Sequence, residues 1–218
     1  MADKREIIAK RIAKEFKDGM IVNLGIGLPT LVPTFLSSDI NIWIESENGI
    51  LGLGPPPTAE QFDPLITDAG GTPVTIVTGG STFDSNFSFG LIRGGHVDIT
   101  VLGAFQVDEK GNLANWIVPG GRLAGMGGAM DLVTGAKKVI IATEHCSKDG
   151  KSKIKKECDL PLTGAGVVDM VVSELAVLQF TDKGLELKEV APGVSVEEVI
   201  AKTEANLVIS ENVGVMEI

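Results

Sequence analysis

The sequence predicts an α/β protein with an open, mostly parallel sheet flanked by helices and with antiparallel strands toward the C-terminus. Through most of the 218 residues, short apolar runs of strand length alternate with helix-length segments, which is typical of βα units that build a parallel sheet. After residue 156, three apolar runs follow one another with only short turns between them, which is typical of antiparallel strands. No internal repeat or linker interrupts the chain, so we expect one domain over residues 1–218.

The helices follow from periodicity and from capping residues. Ile8, Ile12 and Phe16 recur every four residues, which indicates an amphipathic helix. Pro29 is typical of the first turn of a helix, and Ser195 is typical of an N-cap. The predicted helices, in chain order, lie at residues 4–17, 29–35, 84–92, 129–133 and 195–203.

The strands follow from short apolar runs that end at glycine, proline or charged residues. They are predicted at residues 21–24, 40–44, 74–77, 97–102, 138–142, 167–172, 177–180 and 185–190. Residues 105–107 and 113–116 flank the turn-rich segment 108–112 and predict a hairpin. Residues 51–64 contain two glycines and three consecutive prolines, and we expect a loop there.

Composition excludes several classes of function. The chain has 19 Lys and Arg against 29 Asp and Glu, a formal net charge of −10 at pH 7. An acidic surface argues against nucleic acid and against anionic membranes, which both need basic patches, but a local site can still bind an anionic small molecule. No signal peptide and no apolar run long enough to span a bilayer are present, so we expect a cytoplasmic protein.

A glycine turn follows the first predicted strand. Residues 23–30 (NLGIGLPT) place Gly25 and Gly27 before a helix, and Glu45 follows Gly25 by 20 positions, as in dinucleotide-binding folds. Thr30 stands where the third glycine of that motif belongs, and Pro29 disturbs the helix start that would hold a pyrophosphate. The pattern therefore favours an ordinary tight turn over an NAD site.

Two carboxylates follow the second predicted strand. Glu45 and Glu47 lie two positions apart, so a strand would place both on one side. The carboxyl ends of strands are where open α/β sheets bind ligands. The chain then turns at Asn48–Gly49 and becomes apolar, and a carboxylate in such surroundings is poorly solvated and more nucleophilic. The alternative is a solvent-exposed pair of glutamates beside a turn.

A second glycine-dense segment spans residues 120–128, and its last residues precede a helix. In the run 125–131 (GMGGAMD), successive small residues that open a helix leave backbone N–H groups free to face an anion or an oxyanion. The alternative is a close contact between helix and strand that leaves no room for a side chain.

The other reactive residues indicate no separate site. Cys146 and Cys158 fit no metal or redox spacing, and His96 and His145 have no third ligand near them, so we expect no metal. Five lysines within residues 148–156 are typical of a solvent-exposed loop, and contact with a phosphate is the alternative.

Six segments, in order along nearly the whole chain, resemble the β subunit of the family I CoA-transferases. This group includes acetoacetate and succinyl-CoA:3-oxoacid CoA-transferases. The matching segments are 23–27 (NLGIG), 46–55 (SENGILGLGP), 92–98 (IRGGHVD), 113–116 (LANW), 125–131 (GMGGAMD) and 160–163 (LPLT).

The resemblance implies a mechanism and site residues. Glu47 would be the nucleophile that forms a covalent glutamyl-CoA thioester in a ping-pong reaction, with Gly128 and Ala129 as oxyanion donors. Coenzyme A would be a substrate, with no permanently bound cofactor. The residues that would contact CoA are Asn23, Gly25, Asn115, Gly127 and Gly128. Some relatives hold CoA with a lysine where this chain has Gly71.

The resemblance also implies a partner, a homologous α subunit in an α2β2 assembly. The implied substrates are a short-chain acyl-CoA and a 3-oxoacid such as acetoacetate, with acetate, butyrate or succinate as counterpart. Two alternatives stay open. One is the corresponding subunit of a 3-oxoadipate CoA-transferase, and the other is a non-catalytic module that binds CoA or a nucleotide.

Overall fold

The computed structural model describes residues 3–120 and 125–218. Four α-helices lie within these ranges: α1 (Lys4–Ala13), α2 (Ser85–Arg93), α3 (Ala129–Gly135) and α4 (Val196–Lys202). The strands within the same ranges are β1 (Ile21–Leu24), β2 (Trp43–Ser46), β3 (Ile50–Leu53), β4 (Ile76–Thr82), β5 (Ile99–Leu102), β6 (Gln106–Asp108), β7 (Leu113–Ala114), β8 (Lys138–Ala142), β9 (Ile154–Lys155), β10 (Met170–Val172), β11 (Ala176–Thr181), β12 (Gly184–Val190) and β13 (Val208–Val215).

In the described part of the chain, ten strands form one sheet in the order β13-β12-β11-β10-β8-β5-β1-β2-β3-β4. The central strands from β10 to β2 pair in parallel, which confirms the predicted open α/β sheet. Apart from the hairpin at 105–116, antiparallel pairs were expected only toward the C-terminus, where β10, β11 and β12 form them. The structure adds a second antiparallel flank, because β2, β3 and β4 also pair in antiparallel fashion.

The predicted hairpin at 105–116 is confirmed and lies outside this sheet. Its strands β6 and β7 pair in antiparallel fashion, and β9 joins them as a third strand. The two-residue strand β9 had no sequence signal of its own, because it falls within the lysine-rich segment 148–156.

Apolar side chains cover both faces of the large sheet. Ile8 and Ile12 of α1 pack with Val22 and Ile140 on one face. Residues of α2, α3 and α4 pack on the other face, where the buried cluster includes Ile92, Leu132 and Val199. Alternate residues of each strand thus serve two separate cores, as a sheet between helix layers requires.

An ionic cluster fixes α1 against the sheet. The Arg11 guanidinium donates to both carboxylate oxygens of Glu189, at 2.6 and 2.7 Å, and to Glu15 at 2.7 Å. Lys138 Nζ lies 2.7 Å from the other oxygen of Glu15. Burial works against the Arg11 cation, but its two carboxylate partners outweigh burial and raise the pKa of Arg11.

The predicted loop at 51–64 is partly wrong, because Ile50–Leu53 forms strand β3. Its pairing with β4 depends on glycines that approach one another across the ladder. A Cβ on Gly52 would lie 2.9 Å from the Cα of Gly80, and a Cβ on Gly80 would lie 2.9 Å from the Leu51 carbonyl oxygen. Glycine usually weakens a strand, so the sequence predicts a loop for this segment. In the structure, the close backbone contacts require glycine at these two strand positions.

Other boundaries differ for local reasons. The helix predicted at 29–35 is a 3₁₀ helix over Leu28–Phe35, which contains Pro33. Strand β13 had not been predicted, and its polar residues leave much of it exposed. The predicted cap of α4 is confirmed, since the Ser195 side chain accepts from the Glu198 N–H.

Residues 121–124, within the predicted glycine-dense segment 120–128, lie outside the described residues. Among the residues described, no helix is long and apolar enough to cross a membrane. The single domain over 1–218 stays a prediction.

Candidate active site

Three neighbouring parallel strands bring polar residues to one place. In the ladder, Asn23 of β1 stands opposite Glu45 of β2 and Thr100 of β5. Side chains at paired positions in a sheet point to the same face. All three residues are buried, and α2 adds Ser88 on this face. The result is a polar cluster inside an otherwise apolar layer.

Glu45 is the most enclosed carboxyl of this cluster, with 1% of its surface exposed. Its Oε1 accepts from the Ser88 hydroxyl at 2.8 Å, and its Oε2 accepts from the Asn23 amide at 2.8 Å. Burial raises the pKa of Glu45 above its ordinary value, and the carboxylate of Glu47 adds to the rise. Two hydrogen bonds therefore hold a carboxyl that burial and a like charge push toward its neutral form.

Glu47 lies one residue beyond β2 and is half-buried. Its Oε2 is 3.4 Å from the Asn23 amide nitrogen, the same nitrogen that donates to Glu45. The expected placement of both glutamates on one side is therefore confirmed. The difference is that one carboxyl is enclosed and the other is accessible.

The N-cap of α3 packs directly on Glu47. A Cβ built on Gly128 would lie 3.1 Å from the Glu47 Cγ and 3.4 Å from its Oε1. The Gly128 backbone has φ −81°, which any residue adopts, so the glycine is needed for space rather than for its conformation. Chain segments that are distant in sequence thus meet beside Glu47.

The turn after Glu47 is fixed by close contacts. Gly49 has φ 120°, in the region that favours glycine, and a Cβ there would lie 2.0 Å from the Phe83 carbonyl oxygen. The Phe83 N–H donates to the Gly49 carbonyl oxygen at 2.9 Å. No other residue fits this turn without moving its neighbours.

The loop that joins β3 and β4 (residues 54–75) holds the turn from the other side. The Asn48 side-chain amide donates to the Thr67 carbonyl at 2.7 Å, and the Ala69 N–H donates to the Ser46 hydroxyl at 3.1 Å. The residues on either side of Glu47 are therefore both anchored to this loop.

The other residues predicted at the site lie at the same edge of the sheet or close to α3. Gly25 donates its N–H to the Val101 carbonyl at 2.8 Å, and a Cβ on Gly25 would lie 3.2 Å from that oxygen. Asn115 donates to the Gly103 carbonyl at 3.1 Å and accepts from Thr163 at 2.6 Å. Within the described residues, its side-chain hydrogen bonds therefore go to the end of β5 and to Thr163 rather than to Glu47.

In the glycine segment before α3, the space beside Gly127 is open, whereas the N–H of Ala129 already has an acceptor. Gly127 has φ 56°, and a Cβ there would meet open space. The Ala129 N–H donates to the Met126 carbonyl at 3.3 Å, a long hydrogen bond. An oxyanion at Ala129 would have to share or replace that bond.

Two of the residues assigned no separate site, His145 and Cys158, make side-chain hydrogen bonds within the described chain. His145 is fully buried between the Ser173 and Thr203 hydroxyls, each 2.9 Å from a ring nitrogen, and burial lowers its pKa to about 4. Burial likewise raises the pKa of Cys158 to about 12.

Three of the lysines in segment 148–156 contact protein groups rather than standing free. Lys151 and Lys155 form ion pairs with Asp149 and Glu204, and Lys153 donates to Thr143.

Sequence reasoning missed Ser88 and Thr100. The signal for Ser88 was a polar residue four positions before Ile92, on the helix face that is buried. The signal for Thr100 was weaker, because threonine is common in buried strands.

Comparison with known proteins gives the family. Residues 5–202 match the family model described as coenzyme A transferase. The chain belongs to the coenzyme A transferase family. This confirms the resemblance drawn from the six sequence segments, and with it the enzyme class, CoA transfer between an acyl-CoA and an acid.

Relatives within the coenzyme A transferase family cover nearly the whole chain. It is 58% identical to the β subunit of the acetate CoA-transferase of Haemophilus influenzae, over 98% of this chain and 96% of the relative. It is 54% identical to one of the subunits of the succinyl-CoA:3-ketoacid coenzyme A transferase of Helicobacter pylori strain J99, over 92% of this chain and 97% of the relative.

The fold agrees with a solved structure of an acyl-CoA transferase from Escherichia coli O157:H7. The TM-score is 0.79 at 23% identity, over 99% of this chain but 43% of that one. This chain thus corresponds to less than half of the longer polypeptide, and the likeness supports the fold alone.

Proposed function

We propose that this chain is the catalytic β subunit of an enzyme that moves CoA between a short-chain acyl-CoA and a carboxylic acid, with Glu47 as its nucleophile. The observation that carries the proposal is the position of Glu47 beyond the carboxyl end of β2, with the Gly128 backbone against its side chain. Ligands of open α/β sheets bind at this edge.

The proposed reaction proceeds through the Glu47 carboxylate. It attacks the thioester carbonyl of the donor, and the C–S bond breaks to give a mixed anhydride and the CoA thiolate. The thiolate then attacks the Glu47 carbonyl carbon, which gives a glutamyl-CoA thioester and releases the donor acid. The acceptor carboxylate reverses these steps and leaves as the new acyl-CoA. Two half-reactions on one nucleophile predict ping-pong kinetics.

A carboxylate suits this exchange better than an alkoxide. An acid anhydride is at least as activated as a thioester, so each step remains reversible, whereas an alkoxide would form a stable ester. Each addition creates a tetrahedral oxyanion, and backbone N–H groups placed beside it would stabilise that charge. By the family resemblance we assign this role to Gly128 and Ala129, and contacts with CoA to Asn23, Gly25, Asn115, Gly127 and Gly128.

We further propose a homologous α subunit as partner, in an α2β2 assembly located in the cytoplasm. Two observations support the partner. The relatives from Haemophilus and Helicobacter are named as subunits, and this chain leaves Glu47 half-buried, so that part of its side chain is left for a partner to cover. The same names favour acetate or a 3-oxoacid with succinate among the substrates, and 3-oxoadipate is the alternative.

Incubation with an acyl-CoA in the absence of acceptor tests the nucleophile. We expect mass spectrometry of the full chain with its partner to find CoA attached to the peptide that carries Glu47. Glu47→Ala should form no adduct and exchange no CoA. Glu60→Ala, which changes an exposed residue, should form the adduct and exchange CoA as the wild type does. Full exchange by Glu47→Ala would exclude this mechanism, and retained CoA binding with no exchange in the wild type would favour a binding module.

A further inference from the structure

The Asn23 amide nitrogen contacts more acceptors than it has hydrogens to donate. It has two N–H bonds and lies near three acceptors: Glu45 Oε2 at 2.8 Å, the Glu45 carbonyl oxygen at 3.3 Å and Glu47 Oε2 at 3.4 Å. The short contact goes to the enclosed carboxyl, and the accessible carboxyl receives a long one. One hydrogen serves Glu45 Oε2, so the Glu45 carbonyl oxygen and Glu47 Oε2 compete for the other.

The unequal distances from the Asn23 amide to the two carboxylates affect how reactive Glu47 is as a nucleophile. A full hydrogen bond to a carboxylate stabilises its charge and makes its electron pairs less available for attack. A long contact gives direction but little stabilisation. The short bond to Glu45 also fixes the plane of the Asn23 amide, so that its nitrogen faces Glu47.

We propose that Glu45 is a positioning residue for Glu47. By accepting the short hydrogen bond from Asn23, it fixes that amide beside the nucleophile, so that Glu47 receives only a long contact that is shared with the Glu45 carbonyl oxygen. The inference rests on the proposed role of Glu47 and adds the residue that controls its surroundings.

The packing around Glu45 makes it suited to this role. Asn23 and Ser88 each bind one of its oxygens, and both are almost fully buried, so the carboxyl cannot easily rotate. Glu47 is the titratable group whose charge acts on it within the described residues. The charged groups of the covering helices, Arg93 of α2 and Asp131 of α3, pair with each other at 2.7 Å.

Protonation of Glu45 would weaken the bond that it accepts from Asn23. Because burial raises the pKa of Glu45, the rate of attack by Glu47 should fall as the pH falls through that raised value. Glu45→Gln keeps an acceptor oxygen and the side-chain shape but does not titrate. It therefore resembles the protonated wild type, so its rate should be lower at neutral pH and should lack the fall that Glu45 causes.

The test measures the single-turnover rate of CoA adduct formation on Glu47, in the full chain with its α subunit, from acid to neutral pH. Glu45→Ala should slow adduct formation on the order of 10- to 100-fold at saturating acyl-CoA, with little change in half-saturating concentration. Glu45→Gln should slow it less than Glu45→Ala, because an acceptor oxygen remains, and its profile should lack the acidic fall that Glu45 causes. Glu60→Ala and Glu60→Gln are the matched controls on the exposed surface.

Each outcome decides one of the two proposals. If the wild type forms no adduct, the proposed function fails. If it does, while Glu45→Ala and Glu45→Gln keep its rate and its pH profile, the positioning role is wrong. Ser88→Ala removes only the other hydrogen bond of Glu45, so a loss as large as that of Glu45→Ala would show that loosening of α2 is the cause. If Glu45→Ala does not fold, an unmoved limb in Glu45→Gln overturns the inference.

Discussion

The cluster around Arg11 and the cluster around Asn23 each hold two glutamates that are at least partly buried, but they treat charge in opposite ways. At Arg11, two glutamates face two cations, and the four groups are joined by bonds of 2.6 to 2.7 Å. At Asn23, two glutamates share one neutral amide. The first arrangement neutralises charge and fixes a helix, whereas the second leaves charge available for reaction.

The difference predicts which substitutions should change the stability of the fold and which should change catalytic activity. Removing one partner of a buried ion pair leaves an uncompensated charge, which costs the fold a great deal. Removing the half-buried Glu47 leaves no such charge unpaired and costs the fold little. Substitutions in the two clusters should therefore affect different measurements.

The largest expected effect is the loss of activity in Glu47→Ala. We expect CoA exchange to fall on the order of 10⁴-fold or more, because the covalent route is lost. The free energy of unfolding should change by less than about 1 kcal/mol, since Glu47 is half-buried and close to a like charge. Steady-state exchange assays and urea denaturation measure both. A large loss of stability would place Glu47 in the same class as Arg11.

Arg11→Met should give the opposite result. We expect a loss of about 3–5 kcal/mol in the free energy of unfolding, because Glu15 and Glu189 lose their shared cation. Exchange activity per folded molecule should stay close to that of the wild type. Lys14→Met is the control, because Lys14 is exposed and its pair with Glu217 is 3.7 Å long, so it should change stability by less than about 0.5 kcal/mol. Equal losses in both variants would refute the special role of the Arg11 cluster.

His145 is a third kind of buried titratable group, one that burial favours in its neutral form. Its pKa is lowered from 6.5 to about 4 by burial, so the unfolded chain binds more protons than the folded one between these values. Stability is therefore full above about pH 6.5 and decreases as the pH falls toward 4, by at most about 3 kcal/mol. Denaturation at several pH values should show this slope.

The two histidines of the chain provide the comparison for that experiment. His145→Gln should flatten the slope between pH 6.5 and 4, although it lowers stability overall. His96→Gln should leave the slope unchanged, because His96 is exposed. A slope that survives in His145→Gln would assign the acid sensitivity to other groups, such as the carboxyls whose pKa values are lowered.

The smallest expected effect is that of Gly128→Ala. The added Cβ would lie 3.1 Å from the Glu47 Cγ, so we expect exchange to fall on the order of 10-fold, with a stability change of less than about 1 kcal/mol. Gly90→Ala is the matched control, since a Cβ there meets open space within α2 and should slightly stabilise the helix. Unchanged exchange in Gly128→Ala would remove the support that this contact gives to the site.

The sequence predicted the centre of the fold and of the site better than their edges. Apolar runs such as 138–142 identified the buried parallel strands, because burial on both faces leaves a continuous signal. The spacing of Glu45 and Glu47 correctly placed them on one side. Strands β3 and β13 were missed because their pairing depends on glycine contacts or exposed polar residues, which resemble a loop in sequence.

The network within the site could not be predicted from spacing alone. Ser88 and Gly128 come from helices that are distant in sequence from Glu45 and Glu47, and only the tertiary arrangement shows which atoms meet. Nor does the sequence distinguish an enclosed glutamate from an accessible one two positions later. That distinction arises because α2 covers Glu45, whereas the chain turns away just after Glu47.

The tight contact between Gly49 and Phe83 makes the Glu47 turn and the start of α2 a single mechanical unit. Phe83 directly precedes Asp84, the N-cap residue of α2, and that helix carries Ser88 onto Glu45. Inserting one residue between Phe83 and Asp84 would shift the helix by one register step and displace both the turn and its covering serine. By contrast, residues 58–65 of the loop between β3 and β4 are exposed, so we expect a residue inserted there to leave this carboxylate in place.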